Sequence, residues 1–308
     1  MTPTRGLAVV VAVLIATAPA GCGLGAGEAG EGEATLTVTH DYGATDVLET
    51  AIPDPRPSDT VIRALDREAE ITTRHGGGFV QSIAGVAGSI EEGRSVDWFF
   101  YVNGIESPVG SAEVEIEPGD RIWWDHHDWT DVMRVPGVVG SFPQPFEAAG
   151  DSGASPVEVA CETVDTACDL VGAALRDEGI ETTTVAIGES TAGATPRILV
   201  GTLAGIDSDQ AAGLLAAGPA RSGVFVRAAD GDDEGLELLD DRLQARQSGA
   251  FGLVAAVAQG AQAPTWIVTG ADEDLVVDAA ELVGGGSLHN RFALAVSGEG
   301  ETIPLPVR

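Results

Sequence analysis

Trp98-Phe99-Phe100-Tyr101-Val102-Asn103-Gly104 and, further on, Ile122-Trp123-Trp124-Asp125-His126-His127-Asp128-Trp129 hold most of the aromatic weight of this chain. Aromatics make up 5% of the 308 residues, yet four of the five tryptophans fall in this window. The first run reads as a strand with Trp98, Phe100 and Val102 on one face and Phe99 and Tyr101 on the other. Asn103-Gly104 then predicts a two-residue hairpin turn that fixes its register. In the second run Ile122 and Trp124 oppose Trp123. Both faces of these strands are therefore apolar, and a small sheet with one helix can bury only one of them. The other must meet a linker, a second domain or a ligand.

Around these runs, residues 35–135 read as one small domain. Leu36-Thr37-Val38-Thr39 alternates as a strand, with Val47 to Ile52 as its hairpin partner. Ser58 or Asp59 can cap a helix carrying Val61, Leu65 and Ala69 at a spacing of four. Phe79-Val80-Gln81-Ser82-Ile83 reads as a strand, and Pro118-Gly119-Asp120 turns the chain into the last one, Arg121 to Asp125. Two strands, a helix and further strands give an α+β, β-grasp-like order.

Residues 136–156 are rich in Pro and Gly and break the periodicity, which predicts a linker. From 157 to 308 the pattern is that of an α/β domain with a mostly parallel sheet. Its predicted strands are Val157–Ala160, Thr183–Ile187, Arg197–Val200, Gly223–Val226, Thr265–Thr269 and Phe292–Val296. Its predicted helices are Cys168–Glu178, Asp209–Ala216, Gly249–Gln259 and Glu273–Val283. Asp207 with Gln210 resembles a capping box, and Asp272 can cap the last helix.

Acidic residues number 48 against 16 basic ones, every one of the latter Arg, for a net charge of -32. That charge repels phosphate backbones and argues against nucleic-acid partners. Arg5 followed by an apolar stretch from Leu7 to Ala20 reads as an export signal over residues 1–22, too short to span a bilayer. Pro19-Ala20-Gly21-Cys22 resembles a bacterial lipobox with Pro where Leu is usual, which implies lipidation at Cys22; a plain cleaved signal is the alternative. Residues 23–34, nearly all Gly, Ala and Glu, read as a flexible tether. The expected address is the outer surface of the cell membrane. Cys161 and Cys168 lie in the exported part, where an oxidising compartment favours a disulfide between them.

Three stretches together carry a resemblance: Phe79-Val80-Gln81-Ser82-Ile83-Ala84-Gly85, Trp98 to Gly104, and Gly119-Asp120-Arg121-Ile122-Trp123-Trp124. They are similar to the bacterial relatives of the C-terminal β-domain of transcobalamin and intrinsic factor, over roughly Thr35 to Asp131. The resemblance implies a β-grasp-like fold. In the vertebrate carriers this domain closes over one face of cobalamin and a helical domain supplies the other; no such helical pattern is read in this sequence. A corrinoid such as cobalamin wants flat aromatic surface and a few hydrogen-bonding groups. The expected ligand-binding residues are Trp98, Tyr101, Asn103, Trp123 and Trp124. His126 or His127 is added as an axial ligand to a corrinoid cobalt.

The run Asp125-His126-His127-Asp128, with Asp131 and His75, also raises a metal reading. Adjacent strand residues face opposite ways, so Asp125 with His127 is the better pair, and two ligands are too few. No GxSxG, P-loop, GxGxxG after a strand or HExxH is present, so no catalytic residue, metal or cofactor is expected. The leading expectation is a lipid-anchored, non-enzymatic protein that captures a small molecule for a membrane transporter. The alternatives are an envelope structural or adhesion protein whose aromatic surface makes domain or protein contacts, and a metal-dependent hydrolase.

Overall fold

In a computed structural model of the chain, the described residues are 30–74, 78–147, 156–163, 165–190, 193, 195–229, 235–260 and 262–308. The export signal, Cys22, tether residues 23–29 and His75 lie outside them. The described chain is mixed α+β, with more strand than helix.

The N-terminal half opens with the antiparallel hairpin β1 (Glu33–His40) and β2 (Thr45–Pro53), then helix α1 (Val61–Glu68). Next come β3 (Ile71–Arg74), β4 (Phe79–Ile83), β5 (Val86–Ala87), β6 (Ser89–Glu91), β7 (Arg94–Val102), β8 (Ile105–Glu106) and β9 (Arg121–Asp128). The main sheet runs β2-β1-β9-β7-β6, with β8 also on β7. The last strand, β9, lies parallel to β1 and antiparallel to β7. The Asn103-Gly104 turn has both residues at positive φ, 55° and 75°, as a tight hairpin turn requires.

The two faces of this sheet separate as the alternation predicts. Leu36, Val38, Trp98, Ile122 and Trp124 pack with Val61 and Leu65 of α1 into one core. Tyr101 and Trp123 belong to a different core, shared with the C-terminal half. Helix α1 begins after Thr60, whose side chain makes no cap hydrogen bond. Asp59 instead accepts from Arg67, so the expected cap at Ser58 or Asp59 is replaced by an ion pair.

The C-terminal half contains β10 (Val157–Cys161), α2 (Thr166–Asp177), β11 (Thr182–Ala186), β12 (Arg197–Thr202), α3 (Gln210–Ala216) and α4 (Pro219–Ser222). It continues with β13 (Val226–Ala228), β14 (Leu236–Leu239), β15 (Ala245–Gly249), β16 (Phe251–Val257), β17 (Thr265–Gly270), α5 (Glu273–Glu281), β18 (Ala293–Ser297) and β19 (Thr302–Leu305). Its seven-stranded sheet runs β11-β10-β12-β17-β16-β18-β19. The pairs from β11 through β17 are parallel, and those from β17 through β19 are antiparallel. The sheet is thus mixed, half parallel and half antiparallel, where a mostly parallel one was expected.

Two of the three antiparallel pairs come from one segment, and the third from Thr302–Leu305, which was not expected as a strand. Gly249–Gln259, expected as a helix, is largely strand β16, buried at every position. A strand covered on both faces reads as a continuous apolar run, which periodicity alone does not separate from a buried helix. Two smaller shifts accompany it. The strand expected at Gly223–Val226 starts at Val226, because α4 occupies the preceding turn. Asp209, two residues beyond Asp207, caps α3 by accepting from Ala211 N–H. Asp272 caps α5 as expected, through Leu275 N–H. Cys161 and Cys168 form a disulfide that joins the end of β10 to the first turn of α2.

Side chains of the seven strands divide by parity. Val159, Ile198, Val254 and Trp266 meet α2 and α5, whereas Ala160, Leu199, Leu253, Ala255 and Ile267 meet the seam with the N-terminal half. Leu253 is fully buried at the centre of the second set. Leu253→Ala is expected to destabilise the chain by about 2–5 kcal/mol, read as a lower urea midpoint with an unchanged slope.

Candidate functional site

The apolar surface left over on the first sheet is covered by Phe292, which enters just before β18. Its ring meets Tyr42 and Trp123 edge-on at 5.1 Å, and Tyr101 and His127 at 5.5 Å. Such edge-to-face pairs add about 0.5–1.5 kcal/mol each beyond the area they bury. The His127 ring lies between Phe99 and Tyr42, stacked on each at 4.5 Å. The segment 136–147 closes the seam. Val138 N–H donates to Gly104 O, Val139 N–H donates to Phe292 O, and Val138, Val139 and Phe146 are fully buried. At Gly140 a Cβ would come within 2.7 Å of both the Trp123 ring and Arg291 N, so only glycine admits this approach.

Beneath the rings lies a polar network. Asp125, 0% exposed, accepts from the backbone N–H groups of Tyr42 and Gly43 at 2.9 Å, from the Thr39 hydroxyl, and from His127 Nδ1 at 2.8 Å. The Trp123 indole N–H donates to Thr39 Oγ1 at 2.8 Å. Burial by itself raises the Asp125 pKa. The His127 hydrogen bond and charge, with the Thr39 and Gly43 donors, outweigh it and hold the carboxyl below its ordinary value. The Tyr42 hydroxyl donates to Asp128 O; burial, then the Asp241, Asp128 and Asp125 carboxylates, push it far above the usual phenol range. Tyr101 Oη and Glu106 Oε2 are among the buried side-chain atoms of the described residues that have no hydrogen-bond partner, as is the Trp124 indole N–H.

Each residue expected to touch a ligand is therefore placed. Trp98 and Trp124 lie in the core under α1, and Tyr101 and Trp123 lie in the seam; all four are at most 5% exposed. The Trp98 indole N–H donates to Val86 O. Asn103 is a turn residue whose amide bonds Asp120 and Arg121 N–H. His126 and His127 face opposite sides: His126 sits beside Trp98 and His40 with its Nε2 3.3 Å from Ala87 O. Burial, then the neighbouring His40, lower the His126 pKa. The flat aromatic surface that a corrinoid would need is packed against protein. Among the described residues, no three His, Cys, Asp or Glu side chains are placed to share a metal ion.

Open space lies instead at the rim of the seam, in a cleft of about 450 Å³ with one wall from each half. Asp41, Tyr42, Arg94 and Asp128 form the first wall. Asp240, Asp241, Arg242, Arg246 and Arg308 line the second. Arg94 ties the walls together, pairing with Asp128 and, at 2.7 Å, with Asp241. Arg246 pairs with Asp240 at 2.8 Å and Arg308 with Asp41 at 3.5 Å. The Arg242 guanidinium has neither an ion pair nor a hydrogen bond among the described residues. The Asp240 carboxylate, held below its ordinary pKa by backbone and Arg246 donors against the opposing effect of burial, fixes the turn that carries it.

None of these cleft residues stands out by strand or helix periodicity. The signal open to a reader was scarcity: Asp240-Asp241-Arg242-Leu243-Gln244-Ala245-Arg246 places two of only 16 basic residues within five positions. Phe292 was equally open to notice as the one aromatic after Trp266.

Phe292→Ala is expected to cost about 3–5 kcal/mol and to expose a dye-binding apolar surface. Asp125→Asn is expected to cost about 3–5 kcal/mol at pH 7, because it unpairs a buried charge network. The folded Asp125 pKa lies below the unfolded value of about 3.9, so its contribution is present above that pH and is lost as pH falls through the folded value. Denaturation followed from pH 7 into acid should show a shallower acid limb for the Asn variant.

Residues 58–128, under a quarter of the chain, match the model of a domain of unknown function (DUF4430). That family is found in bacterial transcobalamin-like proteins. The match runs from the start of α1 to the end of β9 and leaves out the C-terminal half. No curated protein matches the chain.

Proposed function

We propose that this is an exported, lipid-anchored, non-enzymatic protein that captures a small polar molecule in the cleft between its halves and presents it to a membrane transporter. The observation that carries the reading is that cleft. At about 450 Å³ it has the size of a small-molecule site, and domain interfaces are where such sites concentrate. Arginines and aspartates in equal number on its walls suit a ligand bearing both donors and acceptors. Arg242 supplies a guanidinium that pairs with no carboxylate among the described residues.

The anchoring part rests on Arg5, the apolar stretch to Ala20 and Cys22. The N-terminal half is read as a β-grasp because a hairpin and helix precede a last strand that runs parallel beside the first. With the resemblance to transcobalamin's β-domain, that keeps cobalamin in the ligand class. Its amide fringe offers the donors and acceptors such walls can bind, while its macrocycle exceeds what the cleft encloses.

A second reading, an envelope structural or adhesion protein, is favoured by one observation: the aromatic surface holds the two halves together. Calorimetry and thermal shift with zwitterionic and amide-bearing small molecules, cobalamin among them, separate the readings. Saturable binding is expected, weakened on the order of tenfold by Arg242→Ala with the melting temperature unchanged. Absence of binding, or binding indifferent to Arg242, would leave the structural reading.

A further inference from the structure

A second cavity, of about 340 Å³, opens at the carboxyl ends of β12 and β17. It lies between α3, the turn after β12 and the β13–β14 pair, away from the charged cleft. Open α/β sheets take their ligands outside the carboxyl ends of their strands. The walls are Ile206, Ala212, Leu215, Val226 and Leu236, each buried. Among the described residues the lining holds no aromatic ring and no histidine, and its charged residues are Asp207 and Arg227. Both are exposed, and Arg227 is engaged by Glu237.

Two features define the α3 side of this space. The start of α3 is held rigidly, because buried Asp209 both caps the helix and takes Arg197 Nη2 on its two oxygens at 2.7 and 2.9 Å. In addition α3 carries Gly213 at the cavity, where a Cβ would meet nothing within 4 Å. Glycine inside a helix is less stable than alanine. Sterics of the fold do not require glycine there, and a much larger side chain at this position would project into open space at the cavity.

We propose that this cavity is a binding site for a small, neutral, aliphatic molecule, distinct from the polar site between the halves. The mainly aliphatic side chains of this lining favour hydrocarbon over strongly polar groups. Without aromatic faces it offers no platform to a flat conjugated ring. The net charge of -32 turns away anionic amphiphiles such as carboxylates.

The test uses the whole chain titrated with 1-octanol and cyclohexanol, read by calorimetry and thermal shift, with octanoate alongside. Expected are saturable alcohol binding with a negative heat-capacity change, weaker binding of octanoate, and a loss on the order of tenfold or more in Gly213→Phe. Ala216→Phe, on the same helix, serves if Gly213→Phe does not fold. Binding of either alcohol undiminished in a folded variant, or no saturable binding of either, overturns the proposal. Arg242→Ala, which should weaken only polar ligands, keeps failure here distinct from failure of the cleft.

Discussion

The insertion of Phe292 into the aromatic face of the N-terminal sheet is the contact on which the rest of the molecule depends. Strand alternation gives β7 and β9 two apolar faces, and α1 covers only one. Left open, Tyr42, Tyr101 and Trp123 would form a continuous exposed apolar patch of the kind that drives association. Phe292 touches all three and His127 as well, so one side chain from the far half closes the surface. Close packing of this kind requires glycine at position 140, and the Asp125 network beneath holds the rings in orientation.

The same seam organises the charge. In a chain so acidic, each arginine has a choice of carboxylates, and position decides what a pair does. Arg197 with Asp209 is buried, orients α3 and thereby shapes the apolar cavity. Arg94 sits at the rim and bridges Asp128 of one half to Asp241 of the other. Such rim pairs contribute little to stability individually, but they fix the relative placement of the cleft walls. The two spaces differ accordingly: one is walled by opposite charges where the halves meet, the other by aliphatic side chains where the strands of a single sheet end.

Much of the fold was legible because period-2 patterns are local. The hairpin of Leu36–Thr39 with Val47–Ile52, the Asn103-Gly104 turn and the division of Trp98 from Tyr101 follow from side-chain direction alone. The failure at Gly249–Gln259 has the opposite origin. That segment is buried on both faces, so the sequence carries no polar side to show its period. The cleft was not legible, since Asp41, Arg94, Asp240 and Arg242 are ordinary surface charges until the chain brings them together.

By itself, then, the sequence determined that the aromatic strands would have one apolar face too many, because alternation is set by the backbone and no choice of partner alters it. It also placed Asp125 and His127 two residues apart on one strand face, though not that the pair would be buried. Only the tertiary structure decided what met the surplus face. Phe292 and Trp123 are separated by most of the C-terminal half, and a contact at that range depends on how two sheets stack. The outcome moved the open space from the tryptophans to the rim beside them.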